Sequence, residues 1–198
     1  MSDSYPAVLR KDDAPSKRAL LEASLRLFVR DGVCETTIRV VAEEAGVTNP
    51  AIFKFFPGRE ALARCVFERC YERLAVAVED AVASGDFEGR LRAVVLAAAR
   101  FMDAELDAFL FVNEHLRRFW PQVAPSVRHR SIVRMLRELF ALGERQGKVP
   151  RGRDRELFVA ATIGTLTQFA RALYFGEIDG PAVRRAPEIE RLVLGMTK

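Results

Sequence analysis

From residue 16 onward, apolar positions recur at intervals of three and four, and strict alternation is nearly absent, so the pattern predicts helices and no sheet. A first helix is expected over 16–30, with Leu21, Leu25 and Phe28 on one face and Gly32 as its stop. A short second helix starts near Thr36-Thr37, either of which can cap it. It buries Ile38, Val41, Ala42 and Ala45 and ends at Gly46. The third follows at once. Thr48 is its expected N-cap, Pro50 falls in the first turn, and Val47 and Ile52 are spaced as a hydrophobic staple. This helix runs to Phe56, where Pro57-Gly58 breaks it. Two short helices joined by Ala45-Gly46-Val47-Thr48 spell a helix-turn-helix.

Longer periodic segments come next, at 60–83, 87–102, 104–120, 123–146, 154–175 and 188–196. The segment 154–175 is apolar on more than one face, through Leu157, Phe158, Ala161, Leu166, Phe169, Ala170 and Leu173. The expected fold is therefore all-α with about nine helices. An N-terminal three-helix domain (1–60) carries the helix-turn-helix, a second helical domain spans 61–198, and the boundary is at Pro57-Gly58.

Composition narrows the function classes. With 49% hydrophobic residues among 198, the chain has enough apolar material for a packed core. It contains no run of about 18 uncharged apolar residues, so no membrane partner is expected. The first 15 residues are polar and lack the apolar centre of a secretory signal, which points to the cytoplasm. Three cysteines and two histidines at irregular spacing argue against a disulfide framework and a zinc site. Phosphate-cradling glycine loops, metal-ligand spacings and nucleophile elbows are all missing, so neither enzymatic activity nor a cofactor is expected.

The net charge is +4, yet residues 1–60 hold nine Lys/Arg and nine Asp/Glu and sum to zero. Any affinity for a polyanion must come from local placement.

That placement is legible between residues 36 and 59. A helix entering a major groove needs an exposed face of small and short polar residues, which Thr48, Asn49, Ala51 and Lys54 supply. Asparagine can pair bidentately with adenine, and Arg39 on the preceding helix can reach guanine or a phosphate. Thr36 and Thr37 offer hydroxyls and helix-terminal N–H groups to a phosphate.

Over residues 17–62 the sequence resembles the TetR family of transcriptional regulators. The marks are Leu27-Phe28, Gly32, Thr36-Thr37, Ala42, Ala45-Gly46-Val47-Thr48, Ile52, Phe56 and Arg59-Glu60-Ala61-Leu62. The resemblance implies that the second and third helices dock double-stranded operator DNA. It makes Arg39, Thr48, Asn49, Pro50, Ala51, Phe53 and Lys54 candidate contacts, with Thr37 and Arg59 on the phosphate backbone. The family commonly has tyrosine where Phe53 stands. Phe53 cannot donate to a phosphate, so its contact is lost or becomes apolar, for instance with a thymine methyl.

The resemblance also implies a repressor, a homodimer and a small-molecule effector. The apolar surplus of helices at about 154–175 and 188–197 independently suggests that two copies join there in a four-helix interface. Candidate effector-pocket residues are Phe101, Phe109, His115, Phe119, Met135, Phe140 and Gln168, with core packing the competing reading for each aromatic. The basic residues His115, Arg117, Arg118, Arg128, His129 and Arg130 are a further candidate for an anionic ligand group. The alternative function is a helical ligand carrier or scaffold that does not use its N-terminal bundle on DNA.

Overall fold

A computed structural model describes residues 6–151 and 154–197; these residues carry helices and no β-strand. Two compact units result, and neither is a single stretch of chain. Residues up to Arg73 together with Asp107–Val127 make the first, and Leu74–Leu106 with Arg128 onward make the second.

In the first unit, α1 (Pro15–Asp31), α2 (Ile38–Glu44) and α3 (Asn49–Phe53) are joined by the first half of α4 (Arg59–Val82) and the last part of α5 (Phe87–Phe119). Aromatic packing explains why the unit extends beyond Pro57-Gly58. Phe28 of α1 stacks on Phe111 of α5 at 5.9 Å, and Phe67 of α4 meets Phe119 at 5.5 Å. Tyr71 lies 4.9 Å from Trp120. Removing these rings from water adds to the burial of Leu20, Leu21, Ile52, Leu62 and Val66 in the same unit.

Gly32 ends α1 at φ 93°, in the left-handed region where a side chain is disfavoured. Its carbonyl accepts the Thr36 hydroxyl at 2.7 Å, which closes the α1–α2 turn. Thr37 then caps α2, accepting from the Val40 N–H at 3.3 Å. Gly46, at φ 65°, turns the chain into α3.

Residues 6–13 pack more closely than their polarity suggests. Ala7 and Val8 are buried, and the buried pair of Arg69 (α4) and Asp13 locks this N-terminal strap down. Arg69 also donates to the Val8 carbonyl at 3.1 Å. Asp13 takes further bonds from the Arg10 N–H at 2.8 Å and from Lys17 at 3.1 Å. The Arg69 hydrogen bond holds the Asp13 carboxyl well below the usual carboxylate range.

The second unit contains the end of α4, the first part of α5, α7 (Ile132–Arg145), α8 (Arg155–Tyr174) and α9 (Ala186–Met196). The five-residue α6 (Pro125–His129) lies where the two units divide the chain. Phe140 sits between Phe87 at 5.7 Å and Phe158 at 5.5 Å.

Four boundaries differ from the sequence reading. The third helix ends at Phe53 rather than Phe56, because Phe55 and Phe56 turn back to donate to the Ile52 carbonyl and Phe56 precedes a proline. Thr48 precedes α3 in extended conformation but makes no side-chain capping bond. The segments 87–102 and 104–120 form one element broken at Glu105 (φ −147°, ψ 52°). Asp103, beside that break, accepts from the Ala182 N–H at 2.5 Å and the Val183 N–H at 3.0 Å. The segment 123–146 is interrupted at Ser131, which caps α7 by accepting from the Arg134 N–H at 3.3 Å.

Candidate nucleic-acid interface

The helix-turn-helix presents its outer side through α2 and α3. Ile52 and Val41 have no exposed surface, and Ala42 and Phe56 are also buried, so the apolar face of each short helix is used inward. Thr48, Asn49, Pro50, Phe53 and Lys54 are exposed on the other side, with Ala51 half-buried. On α2, Thr37 and Arg39 are exposed as well. Eight of the ten residues named as DNA contacts are therefore brought to one accessible helix pair or its edge.

The other two are placed differently. Thr36 is buried, and its hydroxyl donates back to Gly32; it shapes the turn and offers nothing to a phosphate. Arg59 is half-buried and donates to the carbonyls of Cys34 at 2.6 Å and Thr36 at 3.2 Å. Its guanidinium braces the entrance to α2, which makes it a positioning residue for Thr37.

The charges on this face are mostly balanced locally. Arg39 pairs with Glu43 one turn on, at 3.0 Å, and Arg26 of α1 reaches Glu44 at 3.3 Å. Both pairs are exposed and contribute little to stability. Among the described residues Lys54 has no ion-pair partner, and it stands at the end of α3. Residues 1–60 thus sum to zero in charge and still offer a cation where α3 ends.

A second set of contacts holds the interface from behind. Arg118 of α5 donates to both Glu60 carboxylate oxygens, at 2.5 and 3.2 Å, and to the Cys34 sulfur at 3.5 Å. The same guanidinium lies 5.3 Å from the centre of the Phe119 ring. His115, named above as a pocket residue, packs half-buried against Phe111 at 4.6 Å. Burial, with the Arg118 charge nearby, pushes its imidazole below the usual histidine range. Sequence periodicity gives no signal for Arg118 and Glu60, which are 58 residues apart.

Residues 20–66 match the profile of the bacterial regulatory proteins of the tetR family. Over this N-terminal quarter the chain is similar to the TetR family. Over 196 residues it is 19% identical to the HTH-type transcriptional regulator YdgC of Bacillus subtilis, covering 95% of this chain and 96% of that protein. Among solved structures, the fold is similar to that of the ketosteroid transcriptional regulator KstR2 of Mycobacterium tuberculosis. The TM-score is 0.78 at 19% identity, covering 96% and 97% of the two chains. It is also similar to the Bacillus subtilis FadR in complex with stearoyl-CoA, with a TM-score of 0.70 at 14% identity over 89% and 96%. No helix among the described residues is long and apolar enough to cross a membrane.

The proposed pocket residues are dispersed. Phe109, His115 and Phe119 belong to the first unit, and Phe101, Met135, Phe140 and Gln168 to the second. Phe119 and Phe140 are fully buried among other rings, as the core reading has it. Gln168 is exposed on the outer side of α8 and does not face inward. Met135 lines a polar cleft of about 310 Å³ with Arg90, Glu138 and Arg145. A larger cleft of about 470 Å³ lies between α5 and α9, lined by Arg92, Leu96, Val183, Ala186, Pro187 and Glu190, none of them anticipated. The basic set is also divided, Arg118 being paired to Glu60 and Arg130 to Glu79 at 3.1 Å.

Proposed function

We propose that this chain is a homodimeric, ligand-responsive repressor. Residues 1–60 read a pseudo-palindromic operator, and 61–198 serve effector binding and dimerisation. The observation that carries the reading is the outer side of α3, where Asn49 and the unpaired Lys54 stand exposed while Ile52 is sealed inside. A helix whose polar side is short, solvated and tipped with a cation fits the major groove.

Pairing of two copies is supported by α8 and α9. Leu157, Phe175 and Leu192 are 66%, 71% and 63% exposed, an apolar surface that a second copy can cover. Two recognition helices would then stand about 34 Å apart or somewhat more. For the effector, a largely apolar molecule is the class we propose, in keeping with the stearoyl-CoA named for the Bacillus subtilis structure. Ligand and DNA oppose each other through a coupling free energy, each favouring a different conformer.

Gel retardation with duplexes enriched from a random library tests the reading. Binding should weaken steeply with salt as several phosphates are neutralised, and an effector of the proposed class should release the DNA. Salt-independent retention, or none with any duplex, would count against it.

A further inference from the structure

Six large apolar side chains are exposed among the described residues, and four of them, Leu157, Tyr174, Phe175 and Leu192, lie on or beside α8 and α9. The other two are Val40 on α2 and Phe53 on α3, 40% and 56% exposed. They are the exposed large apolar residues of the first unit, and both fall on the helix pair assigned to DNA.

Phe53 has neither donor nor acceptor, and none of the ring contacts found involves it. It stands four residues after Asn49, so the two share one side of α3 a single turn apart. That spacing, about 5–6 Å, is comparable with the step from one base pair to the next or next-but-one. Val40 donates its N–H to the Thr37 hydroxyl in the first turn of the neighbouring α2.

In the major groove, the only unmodified base that displays an apolar group is thymine, through its C5-methyl. We propose that Val40 and Phe53 form an apolar reading pair for thymine methyls. With Asn49 taking adenine, α3 would then require A·T pairs at the centre of its half-site. This rests on the proposed operator-binding function and specifies what that site reads. Twenty-six arginines against five lysines point to a GC-rich coding sequence, in which an A·T-centred half-site is uncommon. Sparse chance sites favour specificity, because each competes for the protein.

The test uses the full chain and a fluorescently labelled duplex enriched from a random library, resynthesised with deoxyuridine for thymidine in the half-sites. This change removes the methyl and leaves the pairing edge intact. Fluorescence anisotropy should show about three- to fivefold weaker binding per critical thymine, the scale of one buried methyl group. Phe53→Ala should lose a similar factor on thymine DNA and most of the discrimination against uracil, and Val40→Ala/Phe53→Ala should be indifferent to uracil. Val40→Ala alone should lose part of that factor, and none of these variants should change the salt slope. Both side chains are exposed, so the folded state should survive their removal.

Equal affinity of the wild type for the uracil and thymine duplexes overturns the inference, as does a Val40→Ala/Phe53→Ala protein that still discriminates between them. Enriched sequences without A·T pairs at the half-site centres also overturn it. Binding that ignores the methyls sinks this inference alone, whereas failure to bind any duplex sinks the operator-binding reading together with it.

Discussion

Replacing Asp13 by asparagine should destabilise the first unit far more than a change near the chain terminus ordinarily does. Asp13 and Arg69 are both buried, and the carboxylate also accepts from the Arg10 N–H at 2.8 Å and from Lys17 at 3.1 Å. Removing one member of a buried ion pair strands the other and costs about 3–5 kcal/mol. The lower end is expected here, since an asparagine oxygen can still accept and Arg69 keeps the Val8 carbonyl at 3.1 Å. About 3 kcal/mol corresponds to roughly 6–12 °C in melting temperature for a chain of this size.

The single tryptophan makes the assay specific, because Trp120 packs on Tyr71 within the same unit and its fluorescence follows that unit's unfolding. The carboxyl is held below its ordinary value of 3.8, so the folded state binds the proton less readily than the unfolded chain. The gap between wild type and Asp13→Asn should accordingly be full at pH 7. It should close as the pH falls through about 4 and below. The double change Asp13→Leu with Arg69→Met should recover most of the loss, because no charge is left stranded. A single variant that melts within 1 °C of wild type at pH 7, or a double variant less stable than the single, would refute the reasoning.

Arg59→Ala should lower stability by about 1–2 kcal/mol through loss of its bonds to the Cys34 and Thr36 carbonyls. It should also weaken DNA binding without changing the salt slope; a slope reduced by about one would mean that Arg59 touches a phosphate. Gly143→Ala should cost about 1–3 kcal/mol by overpacking, because the added methyl would meet Val149 Cγ2 at 2.6 Å and Phe87 Cδ2 at 2.9 Å. Denaturant titration measures that loss, and an unchanged midpoint would contradict the packing described. Leu157→Glu combined with Leu192→Glu should convert the protein to monomer in sedimentation velocity while preserving its helicity, and an intact dimer would move the interface elsewhere.

The helical periodicity and the glycine stops at Gly32 and Gly46 were enough to locate α1–α3, because those features act within a few residues of chain. The exposed side of α3 was legible for the same reason, since burial of Ile52 dictates which residues face out. What escaped was set by partners distant in sequence. Thr36 and Thr37 look equivalent as caps, and only the packing of the α1–α2 turn sends the first inward to Gly32. Arg59 reads as a phosphate ligand until two backbone carbonyls are found in front of it. The strap over Arg69 leaves no periodic trace in residues 6–13, which hold only two buried apolar residues and one buried aspartate. Polarity alone makes Gln168 a pocket candidate, although residue type cannot tell the inner side of a largely apolar helix from its outer one, where Gln168 stands.

The claim on which the account turns is that the outer side of α3 lies against base edges. Hydroxyl-radical footprinting of an enriched duplex, with wild type and the Asn49→Ala/Lys54→Ala variant side by side, tests it most directly. Wild type should protect two patches on one side of the DNA, about one helical turn or somewhat more apart. The variant should give no footprint at concentrations where wild type saturates, with its helicity unaltered. An identical footprint from both proteins would contradict the account.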